Sequence, residues 1–173
     1  MKKKTLKGTR EANTMMALVC ATAVHLIGPQ AHADIVLDGT ATINGSSGSE
    51  FNNYVAVGDN SPGTLNVTSG GVLNVGQLNV GWFEEGLLNV TGGTVNAGDA
   101  DTFLGFSGRG TINVTNSGTL NTNSIEVGFA GEGLLNVNGG IVNVTEDAYF
   151  FSSATNASAA VTNGTLAIGG DLF

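Results

Sequence analysis

The stretch Val80-Gly81-Trp82-Phe83-Glu84-Glu85-Gly86-Leu87-Leu88-Asn89-Val90-Thr91-Gly92-Gly93-Thr94-Val95 returns as Val127-Gly128-Phe129-Ala130-Gly131-Glu132-Gly133-Leu134-Leu135-Asn136-Val137-Asn138-Gly139-Gly140-Ile141-Val142. Its central tripeptide recurs as Leu65-Asn66-Val67, Leu88-Asn89-Val90, Ile112-Asn113-Val114, Leu135-Asn136-Val137 and, more weakly, Ala159-Ala160-Val161; the terminal valines at 67, 90, 114, 137 and 161 are spaced 23, 24, 23 and 24 residues apart. A register held through five copies is the signature of a repeat architecture.

Two further pieces travel with each copy. One is Val72-Leu73-Asn74-Val75, returning as Thr94-Val95-Asn96-Ala97, Thr119-Leu120-Asn121-Thr122, Ile141-Val142-Asn143-Val144 and Thr165-Leu166-Ala167-Ile168. The other is Val55-Ala56-Val57-Gly58, returning as Leu78-Asn79-Val80-Gly81, Phe103-Leu104-Gly105, Ile125-Glu126-Val127-Gly128 and Tyr149-Phe150-Phe151-Ser152. All alternate apolar and polar residues over three or four positions, the pattern of short strands with one buried face. Glycines recur between them, at Gly70-Gly71, Gly92-Gly93, Gly118, Gly139-Gly140 and Gly164, and at Gly63, Gly86, Gly110 and Gly133, as corners require. Three strands and three corners in 23–24 residues leave no room for a crossover helix, so the chain must wind, with strands of successive coils lying parallel. The expected fold is an all-β parallel β-helix, a β-solenoid of about five coils with three short strands each. Leu65, Leu88, Ile112 and Leu135 form one internal column, and Val67, Val90, Val114, Val137 and Val161 another. The central asparagines, Asn66, Asn89, Asn113 and Asn136, with Asn74, Asn96, Asn121 and Asn143, fall on the opposite side and predict two outer amide ladders.

Residues 34–54 fit the period poorly, although Ile35-Val36-Leu37 and Ala41-Thr42-Ile43 alternate like strands; they are expected to form an N-terminal cap with a loop at Asn44–Ser49. Repeats fill 55–173, and Ile168-Gly169-Gly170-Asp171-Leu172-Phe173 opens another coil, as the front part of a longer rod would. Residues 1–33 read as an export signal: Lys2, Lys3, Lys4, Lys7 and Arg10 precede an apolar run from Met15 to Ile27, too short for a stable membrane anchor, and Ala31-His32-Ala33 places cleavage between Ala33 and Asp34. No membrane-spanning segment is expected in the mature chain.

Cleavage there removes both histidines, the single cysteine and five of the six Lys and Arg, leaving Arg109 against 13 acidic residues, a formal charge of 1 − 13 = −12. Such a chain repels phosphate polymers, so nucleic acid is not an expected partner. Without His, Cys or Lys, nucleophilic catalysis lacks its customary base and a zinc site its customary ligands.

The repeat units resemble those shared by type V secretion (autotransporter) passengers and PEP-CTERM-associated exported proteins, read as valine-glycine, a variable turn, glycine-x-leucine-x-valine, glycine-glycine and a further valine strand; the resemblance covers roughly residues 55–168. It implies a right-handed parallel β-helix at, or released from, a Gram-negative cell surface after passage through the periplasm, with structural or adhesive roles as an adhesin more common than catalysis. The expected partners are a surface polysaccharide, a host surface or further copies of the chain. No outer-membrane barrel and no Pro-Glu-Pro sorting tail occur in this sequence, so the resemblance leaves the anchoring route open.

The alternative is a polysaccharide-processing β-helix, a glycosidase or lyase using turn carboxylates. Its candidate acids are Glu84-Glu85, Glu132, Asp99, Asp101, Glu146 and Asp147, of which Asp99, Asp101, Glu146 and Asp147 also offer a weak Ca²⁺ site; solvated turns explain them more simply. No other cofactor is expected. Trp82, Phe106 and Phe129 follow the turn glycine in three successive coils and form an aromatic column, either stacked on itself at a corner or serving as a glycan-stacking stripe.

Overall fold

The computed structural model describes residues 35–45, 49–98, 100–151 and 156–173, without side chains for 49–52. The expected export signal, the expected cleavage site between Ala33 and Asp34 and the candidate acid Asp99 lie outside them. Sixteen strands wind in sequence: β1 (Ile35–Leu37), β2 (Thr40–Ile43), β3 (Ser49–Val57), β4 (Gly63–Thr68), β5 (Val72–Val80), β6 (Gly86–Thr91), β7 (Thr94–Ala97), β8 (Thr102–Leu104), β9 (Arg109–Thr115), β10 (Thr119–Thr122), β11 (Ile125–Val127), β12 (Glu132–Asn138), β13 (Ile141–Val144), β14 (Ala148–Phe150), β15 (Ala157–Thr162) and β16 (Thr165–Ile168). Named strands pair only in parallel, each with the equivalent strand one coil away. The protein is therefore a parallel β-solenoid of about five turns, and no helix occurs among the described residues.

The winding makes three faces. The first stacks β1, the end of β3, the end of β5, β8, β11 and β14; the second stacks β2, β4, β6, β9, β12 and β15; the third stacks the beginnings of β3 and β5 with β7, β10, β13 and β16. Alternation along each strand sends every second side chain inward. Leu65, Leu88, Ile112 and Leu135 form one buried column, and Val67, Val90, Val114 and Val137 its neighbour. Val161 continues that column in register yet is 46% exposed, because no described rung stacks beyond it. Two hydroxyls enter the interior: Thr102 and Thr122 hydrogen-bond each other at 2.7 Å across a corner, which satisfies both without water.

Three strands per coil is the pattern from β6 onward, whereas β3 and β5 each run through a corner as nine-residue strands. Only Gly76 and Gln77 separate Val75 from Leu78, so the ladder continues through that bend; four residues, 98–101, separate Ala97 from Thr102 in the next coil and interrupt it. The winding also extends further toward the N-terminus than the period suggests. β2 pairs with β4 at an offset of 24 residues (Ile43 with Val67), but β1 pairs with β3 at only 20 (Leu37 with Val57), because Asp38 and Gly39 alone lie between Leu37 and Thr40 where six residues, 58–63, lie between their partners Val57 and Thr64. The Asp38 carboxylate stands under that longer turn and accepts hydrogen bonds from the Asp59, Asn60 and Ser61 amides and from the Asn60 side chain at 3.1–3.3 Å.

The corners are hydrogen-bonded from rung to rung as the strands are. The Gly81 amide donates to the Val57 carbonyl, Gly105 to Val80 and Gly128 to Leu104, each at 2.8 Å. Gly58, Gly81, Gly105 and Gly128 hold φ between 71° and 77°, the left-handed region that costs a side-chain-bearing residue about 1–2 kcal/mol. Gly86 is required for a different reason: a Cβ there would collide with the Gly81 amide and the Val57 carbonyl.

Candidate functional site

Each left-handed glycine after the first face delivers the next residue outward at the same corner, and the Phe106 amide is held to the Gly81 carbonyl at 3.0 Å while Ala130 is held to Phe106 at 2.8 Å. Trp82, Phe106 and Phe129 are thereby placed on successive rungs. Their rings stack: Trp82 on Phe106 at 3.9 Å and 14°, Phe106 on Phe129 at 5.0 Å and 2°. Phe106 has a ring against each face. The column expected from the sequence is thus stacked upon itself, and at its centre no ring face is open to a sugar.

The network is larger than that column. Phe103, outward on β8, meets Trp82 and Phe106 edge-on; Phe151 meets Phe129 edge-on and stacks near Tyr149; Tyr149 stacks on Phe173 at 4.9 Å; Phe83 abuts Trp82. Eight aromatic side chains form one connected ridge on the outside of the first face and its corner. Phe83, Phe129 and Phe173 are 59%, 44% and 62% exposed, and the other five are half-buried. Five of the eight were not evident as a group in the sequence, since Phe103, Tyr149 and Phe173 sit in the strand row rather than after the turn glycine. The signal available was the register itself: Phe103, Glu126 and Tyr149 are paired residues of three successive rungs.

Acids accompany the rings. Glu126 lies outward between Phe103 and Tyr149, and Asp101 and Asp147 occupy the row two positions before it, beyond the inward Thr102–Ile125–Ala148 row. Burial and then the Asp101 charge hold the Glu126 carboxyl above the ordinary glutamate value. The Tyr149 hydroxyl donates to the Asp147 carboxylate at 3.0 Å, and this bond, with burial and the charges of Asp147, Glu126 and Asp101, raises its pKa. The Asp171 amide donates to the other Asp147 oxygen at 2.8 Å. Glu126 carried no mark in the sequence beyond being an acid at an outward strand position.

The candidate acids are otherwise dispersed. Asp101 and Asp147 share a row, but Ser124 lies on the rung between them, so they stand about 9–10 Å apart at the strand spacing. Glu146 accepts a long hydrogen bond from Ser124 at 3.5 Å. No group of three or more His, Cys, Asp or Glu able to hold a metal ion occurs among the described residues. Arg109 opens β9 in register with Glu132 and binds its carboxylate at 3.2 Å; the same register places Glu85 on its other side. The register thus gives the one basic residue of the described chain an acidic partner. Glu84 and Glu85 are exposed at the turn beneath.

Asn79, also on the first face, is fully buried although alternation points it outward, and its carboxamide has no hydrogen-bond partner among the described residues. Among the described residues no helix is long and apolar enough to cross a membrane. No known protein family, curated protein or solved structure matches the chain.

Proposed function

We propose that this chain is an exported, non-catalytic repeat rod with a structural or adhesive role at a Gram-negative cell surface or outside the cell, of the autotransporter-passenger or PEP-CTERM-associated kind, wound right-handed. The observation that carries this reading is the rung-to-rung continuity of the outer surface. Asn136, Asn113, Asn89 and Asn66 form one ladder with every amide bond at 2.9 Å, and Asn143, Asn121, Asn96 and Asn74 a second at 2.7–2.8 Å. Those bonds run along the solenoid axis and stiffen it, which suits a rod that presents a surface. The basic and apolar leader ahead of Ala33 supports export, and a mature chain without His, Cys or Lys supports a non-catalytic role.

One arrangement favours the polysaccharide-processing alternative: Asp101 and Glu126 are diagonal neighbours, about 7–8 Å apart in backbone position, and burial with the nearby Asp101 charge holds the Glu126 carboxyl above its ordinary value. Both stand on an outer face, where water is not excluded.

The adhesive role is tested by applying the protein to glycan arrays and to intact cells beside an unrelated protein of equal acidity. Saturable retention above that control is expected, and none would overturn the adhesive reading. Release of reducing sugar from any arrayed polysaccharide, abolished by Glu126→Gln, would establish the enzymatic alternative instead.

A further inference from the structure

The outer first face combines two features. It carries an unbroken aromatic ridge from Phe83 to Phe173, and beside the rings it carries Asp101, Glu126 and Asp147. Arg109 is the only basic residue of the described chain, and it is already bound to Glu132 at 3.2 Å. The donors that reach Asp147 are neutral, a tyrosine hydroxyl and a backbone amide. Negative charge on this face therefore has no compensating cation among the described residues.

We propose that this face docks a cationic partner, a polypeptide segment rich in arginine or lysine lying along the solenoid axis. The inference rests on the reading of the chain as an adhesive rod and names the chemistry of what it holds. Guanidinium or ammonium groups pair with Asp101, Glu126 and Asp147, while their methylene stems cover the exposed ring edges. Each side chain alone is a weak anchor in water; an apolar ridge that shields the charge pairs from solvent strengthens them. Stacking decides against a neutral glycan at the same place. Phe106 is covered on both faces and Tyr149 has Phe173 against one, which leaves these two rings little of the open, electron-rich face that the C–H groups of a sugar seek.

Trp82 is the only tryptophan of the sequence and lies within the ridge, so its emission reports occupancy directly. The full chain is titrated with octa-arginine at low salt, with cellohexaose and octa-glutamate as parallel probes. Octa-arginine is expected to produce a saturable change in Trp82 emission that weakens as salt is raised, and the other two no change. Glu126→Gln should weaken binding about fivefold and Asp101→Asn with Glu126→Gln about tenfold or more. Asp38→Asn, which removes the same single charge at the first corner, should leave it within about twofold. Phe103→Leu should weaken binding while the thermal unfolding profile shows the chain still folded. Equal weakening by Asp38→Asn and Glu126→Gln would overturn the proposal, since it would show attraction to net charge alone. A response to cellohexaose without one to octa-arginine would also overturn it while leaving the adhesive reading intact. Failure to bind any cell or array defeats that broader reading separately.

Discussion

Asn79 is the residue most at odds with its surroundings. A buried carboxamide without a hydrogen-bond partner costs roughly 1–3 kcal/mol relative to an apolar group of similar size. Asn79→Leu is therefore expected to raise the unfolding free energy by about 1 kcal/mol in urea titration; a loss of stability would show that the amide is satisfied in solution. Two carboxylates respond to pH in opposite directions. Burial works to raise the Asp38 carboxyl, but hydrogen bonds from the Asn60 side chain and from the Ser61, Asn60 and Asp59 amides outweigh it, so its pKa lies below the ordinary 3.8. The folded state then holds the proton less tightly than the unfolded chain. The stabilisation from Asp38 is fully present above the unfolded value and is lost as pH falls through the lower folded one. Glu126 is the reverse: its folded pKa is raised above the ordinary 4.5, so the folded chain binds the extra proton and stability declines as pH rises from 4.5 through the raised value. At pH 7 Asp38→Asn should destabilise and Glu126→Gln stabilise, each by less than about 1 kcal/mol after solvent screening. The Glu126 difference should vanish and the Asp38 difference shrink as the medium is acidified, which a series of melting curves from pH 3 to 7 would check.

Among the elements, the corner after the first face does more than reverse the chain. Its left-handed glycine fixes where the next side chain emerges, and repetition turns that direction into the Trp82–Phe106–Phe129 stack. Aromatic pairs contribute about 0.5–1.5 kcal/mol each beyond buried area, and Phe106 has two stacked partners. Phe106→Leu keeps apolar bulk but removes both stacks, so a loss of about 1–3 kcal/mol is expected, with a shift in Trp82 emission even in the folded state. An unshifted spectrum would mean that Trp82 does not rest on that ring in solution.

The whole molecule behaves as a sum of neighbouring rungs. Deleting residues 91–114 joins Val90 directly to Thr115, a residue in register with the Thr91 it replaces, and brings the Trp82 coil against the Phe129 coil. Because each coil contacts chiefly its neighbours, the shortened chain should fold with its β-type circular dichroism spectrum intact, a smaller m-value and lower total stability. Collapse to an unfolded chain would show that stability is not distributed coil by coil.

The sequence alone determined the period, the parallel winding, the inward columns and the two asparagine ladders, since strand alternation and a 23–24 residue repeat leave few ways to bury Leu65, Leu88, Ile112 and Leu135 together. Rung geometry then makes the ladders follow from repetition. Tertiary structure decided what depends on lateral register between coils of unequal length. The short Asp38–Gly39 corner disguised the first coil, and the pairing of Arg109 with Glu132 joins residues 23 apart that a turn-by-turn reading treats separately. The ridge is the clearest case: Phe103, Tyr149 and Phe173 occupy a strand row, Trp82, Phe106 and Phe129 a corner row, and only the stacking of rungs about 4.8 Å apart brings the two rows into ring contact around Glu126.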